Sequence, residues 1–119
     1  MKSLFKGRIA SVRYAWNGIK RFVVQEPNAR IHLVATTILC GAIIYFNIKG
    51  IELMALIIVT GFVWVAEAFN TAVEAIMDFI SPQYHSRVGL IKDISAGAVL
   101  LAVFTSLITA AIVFLPKLF

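Results

Sequence analysis

Hydrophobic and polar positions change their rhythm once along this chain, and the change marks its organisation. Between residues 4 and 25, Phe5, Ile9, Val12, Trp16, Ile19 and Val23 recur at i, i+4, i+7, i+11, i+14 and i+18. That is the period of an α-helix with a narrow apolar stripe. Lys6, Arg13 and Lys20 recur every seven residues beside the stripe, where their stems can lie on an apolar surface while the charges reach headgroups. The segment predicts a helix lying in a membrane interface. Glu26-Pro27-Asn28 interrupts it, and proline suits the first turn of the helix that follows. From there the sequence is almost continuously apolar over about 29–48, 51–79 and 93–115, each long enough to cross a hydrocarbon core of ~30 Å. Asn47-Ile48-Lys49-Gly50 reads as a tight turn, Ser81-Pro82 as the end of the second span, and Gln83–Ile91 as a polar loop. Asp93 is the expected N-cap of the third span. The fold class that follows is an all-α membrane protein: one amphipathic surface helix and three transmembrane helices in a single domain, 1–119.

Composition makes those spans membrane spans rather than buried core. Of 119 residues, 61% are hydrophobic and 14% charged, outside the range of soluble globular domains. A soluble fold this small has too high a surface-to-volume ratio to hide so much apolar area. The single Cys40 excludes an internal disulfide. The net charge is +5, and seven of the eleven basic residues (Lys2, Lys6, Arg8, Arg13, Lys20, Arg21 and Arg30) precede residue 31. No basic face is left over for nucleic acid, so the asymmetry is a topology signal that puts the N-terminus in the cytoplasm. Three crossings then bring Glu26, Glu74, Asp78, His85, Lys92 and Asp93 to that same face.

One span carries charge where lipid is expected. Glu67, Asn70, Glu74 and Asp78 are spaced i, i+3, i+7 and i+11, within ~80° of one another on a helix, so they form one polar stripe on an apolar rod. A carboxylate near the bilayer centre costs ~2.5–3.5 kcal/mol on insertion-based scales, which makes it rare without a partner or a task. Glu74 and Asp78 near the aqueous surface, with Glu26 nearby, suit a hard divalent cation such as Mg²⁺. Such a cation neutralises phosphate charge, and Lys92 offers a further contact to phosphate oxygens. Glu67, about 16 Å deeper than Asp78 by helical rise, is positioned to take a proton from a lipid alcohol that cannot leave the membrane. Phosphate chemistry at the surface and a hydroxyl at depth together suggest phosphoryl transfer to a lipid. The same stripe also reads as interhelical glue, or as an ion or proton path. Lys92-Asp93 reads equally as a helix start, and His85 as a solvated loop residue. No GxxxxGK[ST] or GxGxxG occurs, so a kinase of the P-loop or protein-kinase type is excluded.

The run Glu67-Ala-Phe-Asn70-Thr71-Ala72-Val73-Glu74-Ala-Ile-Met-Asp78, followed by His85 and by Lys92-Asp93-Ile-Ser-Ala96-Gly97-Ala98-Val99, resembles the prokaryotic diacylglycerol kinase family over nearly the whole chain. The resemblance implies a homotrimeric helical bundle of the bacterial inner membrane, with cytoplasmic active sites shared between subunits, that transfers the γ-phosphate of MgATP to a lipid alcohol. It implies Glu67 as general base with Asn70 beside it, and Glu26 and Glu74 as Mg²⁺ ligands. It further implies Tyr14, Glu26, Glu74, Gln83, Tyr84, His85, Lys92 and Asp93 around the nucleotide, and Arg8, Trp16, Arg30 and Ala96 with Glu67 around the lipid. The form Glu26-Pro27-Asn28-Ala29-Arg30-Ile31-His32 and the ending Leu115-Pro116-Lys117-Leu118 are similar to the undecaprenol kinase branch, so undecaprenol is the expected acceptor. Diacylglycerol is the alternative, and a non-enzymatic ion-conducting or assembly protein is the alternative of another class.

Overall fold

The computed structural model describes residues 2–119 as four helices joined by short turns. They are α1 (Lys2–Gln25), α2 (Pro27–Tyr45), α3 (Gly50–Ile80) and α4 (Ser86–Leu118). The chain is all-helical, and α2, α3 and α4 are each long and apolar enough to cross a membrane, as the sequence leads one to expect. At 1.5 Å per residue α3 and α4 run to ~45–50 Å, well beyond a ~30 Å hydrocarbon core, so both project past it.

The packing is open. The radius of gyration is 17.9 Å, against about 13.5 Å for a compact globule of this length, and the overall extents are 51 × 48 × 21 Å. The principal contact joins α3 to α4 as an antiparallel pair, with α2 lying more lightly on α3 and α1 meeting the rest near its C-terminus. No residue of α1 is buried, and its stripe of Phe5, Ile9, Val12, Trp16 and Ile19 is left uncovered. A stripe at helical spacing with no protein against it is the form an interfacial helix takes. Most of α2 is exposed too, as an apolar helix facing lipid or another copy would be.

The ends of the α3–α4 pair are pinned differently. At one end Asn47 and Gly50 take positive φ (54° and 64°), a region that asparagine and glycine enter with least strain. That turn drives Ile48 inward against Leu56 and Val113, with Leu39, Leu53 and Phe114 around them. The Phe46 and Phe114 rings meet edge to face at 5.6 Å, and Lys117 Nζ reaches Glu52 Oε2 at 3.2 Å. At the opposite end, which carries the candidate chemistry, Lys92 Nζ lies 2.5 Å from Asp78 Oδ1.

The first span ends at Tyr45 rather than at residue 48, and the largest departure from the sequence-based expectation is at the start of α4. The loop is shorter than Gln83–Ile91, and α4 starts at Ser86 rather than at Asp93. His85 is the N-cap, its Nδ1 accepting from the Arg87 backbone N–H at 3.1 Å. Asp93 lies two turns inside the helix and is exposed. The seam explains the early start. Val88, Lys92, Ser95 and Val99, spaced i, i+4, i+7 and i+11, are among the less exposed positions here, along with Gly89 and Gly97. The helical face that packs on α3 therefore continues out of the apolar span into polar surroundings.

Candidate active site

Helix α3 presents the stripe as a gradient of burial. Glu67 is 3% exposed and Asn70 6%, Glu74 is half-buried, and the Asp78 side chain is 66% exposed. Glu67 and Asn70, one turn apart, are the buried polar residues among those described. Among the described residues Asn70 Oδ1 has no hydrogen-bond partner. An unpaired buried acceptor costs ~1–3 kcal/mol, so this carbonyl is open to a donor from outside the chain.

Glu67 is met from α2. His32 Nε2 lies 3.4 Å from Glu67 Oε2, a long hydrogen bond by ordinary geometry. The imidazole stands edge-on to Trp64, with ring centroids 6.1 Å apart and planes at 62°. Trp64 Nε1 in turn donates to Thr36 Oγ1 at 2.9 Å. Residues 32 and 36 of α2 thus face 67 and 64 of α3, two polar rungs between antiparallel helices. Trp64 also meets Phe22 from α1 edge to face, with ring centroids 6.1 Å apart and planes at 87°. Sequence reasoning assigned His32 no role at the site. Counted from their ends, His32 sits five residues into α2 and Glu67 thirteen residues before the end of α3, or ~8 and ~20 Å along their axes. The two meet because α3 overshoots the start of α2 by about two turns, which no local pattern announces.

Two clefts adjoin this region. The first, about 330 Å³, lies between α2, α3 and α4 and extends from His32 and Trp64 past Thr60 and Ser106 to Leu107 and Ala110; its walls are predominantly apolar. The second, also about 330 Å³, separates the end of α1 from α3, with Arg21, Phe22 and Glu26 on one side and Thr71, Ala72 and Ala75 on the other. The small side chains of α3 create that space.

The remaining predicted residues fall into three groups. Glu26, the N-cap of α2, faces the second cleft, at the level of the α3 turn that carries Glu74. Neither carboxylate makes an ion pair among the described residues, and no group of three or more His, Cys, Asp or Glu side chains there forms a closed metal cage. A carboxylate oxygen is the hard donor that Mg²⁺ takes from protein when phosphates and water complete its shell, so the chemistry of each of these residues suits that ion. In the second group, Gln83, Tyr84 and His85 form the exposed turn before α4, where Ser81 Oγ donates to the Gln83 carbonyl at 2.9 Å. Lys92 adjoins them, and its pair with Asp78 occupies a carboxylate that the residue pattern offers to a cation and to which the family resemblance gives no role. The third group is dispersed. Arg8, Tyr14 and Trp16 lie on the exposed length of α1 and Ala96 on an exposed position of α4. Arg30 donates to the Val24 carbonyl at 2.6 Å, satisfying a C-terminal carbonyl of α1. This single chain does not bring that third group to Glu67.

A model of the prokaryotic diacylglycerol kinase family matches residues 13–114. The chain is 32% identical to a diacylglycerol kinase of Synechocystis sp. over 111 residues, 92% of this chain and 63% of that protein, so it spans under two thirds of that relative's length. It is 30% identical to the diacylglycerol kinase of Escherichia coli (strain K12), over 85% of this chain and 83% of that one. It is 33% identical to the undecaprenol kinase of Bacillus subtilis (strain 168), over 88% and 85%. With three apolar helices, a polar stripe graded from buried Glu67 to exposed Asp78 and a family match over most of its length, the chain belongs to the prokaryotic diacylglycerol kinase family.

Proposed function

We propose that this protein is a lipid kinase that transfers the γ-phosphate of ATP to the hydroxyl of a membrane lipid alcohol, with undecaprenol as the acceptor. The kinase reading rests on membership of the family and on relatives named as lipid kinases. The observation that carries the site assignment is the 3%-exposed Glu67 carboxylate on one helix face with the more exposed Glu74. An acid at membrane depth beside an acceptor with no partner among the described residues (Asn70 Oδ1) suits a substrate whose hydroxyl arrives from lipid. Acids nearer the aqueous end suit a substrate that arrives from water.

In the reaction, a Glu67 oxygen accepts the proton of the lipid hydroxyl as the oxygen attacks the γ-phosphorus. The new C–O–P linkage forms as the bond from γ-phosphorus to the β,γ-bridging oxygen breaks, and ADP leaves with that electron pair. The proton stays on Glu67 until the phosphorylated lipid departs. Asn70 orients the acceptor hydroxyl through its amide. Glu26 and Glu74 would hold Mg²⁺, which when bound supplies positive charge against the phosphates. Lys92 exchanges its bond to Asp78 for phosphate oxygens, and the Gln83–His85 turn, Asp93 and Tyr14 complete the nucleotide side. Arg8, Trp16, Arg30 and Ala96 complete the lipid side. Their dispersal on one chain supports a homotrimer in which neighbouring copies share each site, in the inner membrane with the Lys92 end cytoplasmic. Undecaprenol is favoured over diacylglycerol by the Glu26–His32 run.

The test is ADP release by detergent-purified protein supplied with undecaprenol or with diacylglycerol in parallel. Turnover with undecaprenol at higher kcat/KM supports both parts of the reading. Faster turnover with diacylglycerol overturns the acceptor alone. No ATP consumption with either lipid overturns the kinase.

A further inference from the structure

The Glu67 carboxylate has one side-chain hydrogen-bond partner among the described residues, and it comes from another helix. His32 Nε2 lies 3.4 Å from Oε2, and Glu67 is otherwise enclosed. We propose that His32 is the positioning residue of Glu67: its Nε2–H donates to Oε2, sets the plane of the carboxylate, and leaves Oε1 to receive the acceptor's proton. The inference rests on the reading of Glu67 as the base.

Three features carry it. A carboxylate in low-dielectric surroundings needs a donor, and among the described residues no other side chain supplies one. The donor is itself held in place. The His32 ring abuts Trp64, whose indole donates to Thr36 and packs edge to face with Phe22. The imidazole orientation is therefore set by packing from α1, α2 and α3. Finally, the bond is long at 3.4 Å, as catalytic hydrogen bonds often are before substrate binds and tightens them. Simple glue between helices is already provided one turn deeper by Thr36 and Trp64. The His32 rung differs in ending on the carboxylate itself.

The experiment compares His32→Ala, His32→Gln and Glu67→Gln in the full-length protein in micelles, with whichever lipid alcohol the wild type phosphorylates. It reads kcat, KM for ATP and thermal unfolding. Loss of an orienting partner typically costs 10–100-fold, so His32→Ala is expected to lower kcat by about that factor with KM for ATP within about twofold. His32→Gln, whose amide N–H has a similar reach, is expected to recover most of the rate. A purely structural rung would instead lower the unfolding temperature and leave kcat of the folded fraction intact. Wild-type kcat in His32→Ala beside an inactive Glu67→Gln overturns the positioning role and spares the base. Equal slowing by Ala and Gln in folded protein overturns the donor role. Full activity of Glu67→Gln overturns the base, and the positioning role with it. If His32→Ala does not fold, His32→Asn takes its place: its amide is too short to reach Oε2, and an active Asn variant overturns the proposal.

Discussion

Replacing Glu67 by glutamine separates catalysis from stability, because the two are expected to move in opposite directions. Gln has the shape of Glu and keeps a carbonyl oxygen to accept from His32 Nε2, 3.4 Å away in the native protein, so the α2–α3 rung survives. The lost property is the ability to take a proton. General-base catalysis contributes about 10²–10⁴-fold, equivalent to ~2.7–5.5 kcal/mol of barrier, and kcat should fall by that factor with KM for ATP little changed. Stability should not fall. At 3% exposure the carboxylate resides where insertion scales assign ~2.5–3.5 kcal/mol to an acid. One long hydrogen bond offsets little of that, so removing the charge should be neutral or stabilising by about 1–3 kcal/mol. The assay pairs coupled ADP release, at saturating ATP and lipid, with thermal or denaturant unfolding of the same micellar preparation. Wild-type turnover would remove Glu67 from the base role. A loss of more than about 1 kcal/mol of stability with the rate retained would make the carboxylate structural, the interhelical-glue reading of the stripe.

The remaining expectations concern the metal and two interhelical contacts. Glu74→Gln should raise the Mg²⁺ concentration needed for half-maximal rate or abolish turnover; an unchanged Mg²⁺ titration would argue against ligation. Trp64→Phe keeps the ring against His32 but removes the bond to Thr36, and should cost about 0.6 kcal/mol and no more than ~1.7. A double-mutant cycle with Thr36→Val should show the two changes to be less than additive, and strict additivity would deny the bond. Asp78→Asn frees Lys92 from a solvent-exposed pair worth no more than ~1 kcal/mol, so the unfolding midpoint should barely move. A large drop would mean the pair clamps the α3–α4 end.

Most of the architecture could be read along the chain, because lipid is a severe solvent. Every backbone polar group in a bilayer must be satisfied within the segment, so long apolar runs can only be helices. The amphipathic period of residues 4–25 distinguishes α1 from the spans. Pro27, Asn47 and Gly50 mark turns through backbone sterics that operate whatever the neighbours are. The polar stripe was equally legible, since 3.6 residues per turn places Glu67, Asn70, Glu74 and Asp78 on one face of any helix that contains them. The start of α4 was not. Asp93 has the chemistry of a cap, but the seam with α3 extends the helix back to Ser86 and leaves capping to His85.

What the sequence by itself determined is thus everything set by local period and by transfer of side chains into lipid: the elements, their order and the polar face of α3. What only the tertiary structure decided is which residues from different helices meet. His32 reaches Glu67 because α3 overshoots the beginning of α2, and Asp78 reaches Lys92 because the α3–α4 seam continues past the apolar span. Both meetings depend on the axial offset of packed helices. That offset is set by side-chain interdigitation summed over whole interfaces, and no stretch of one helix encodes it alone.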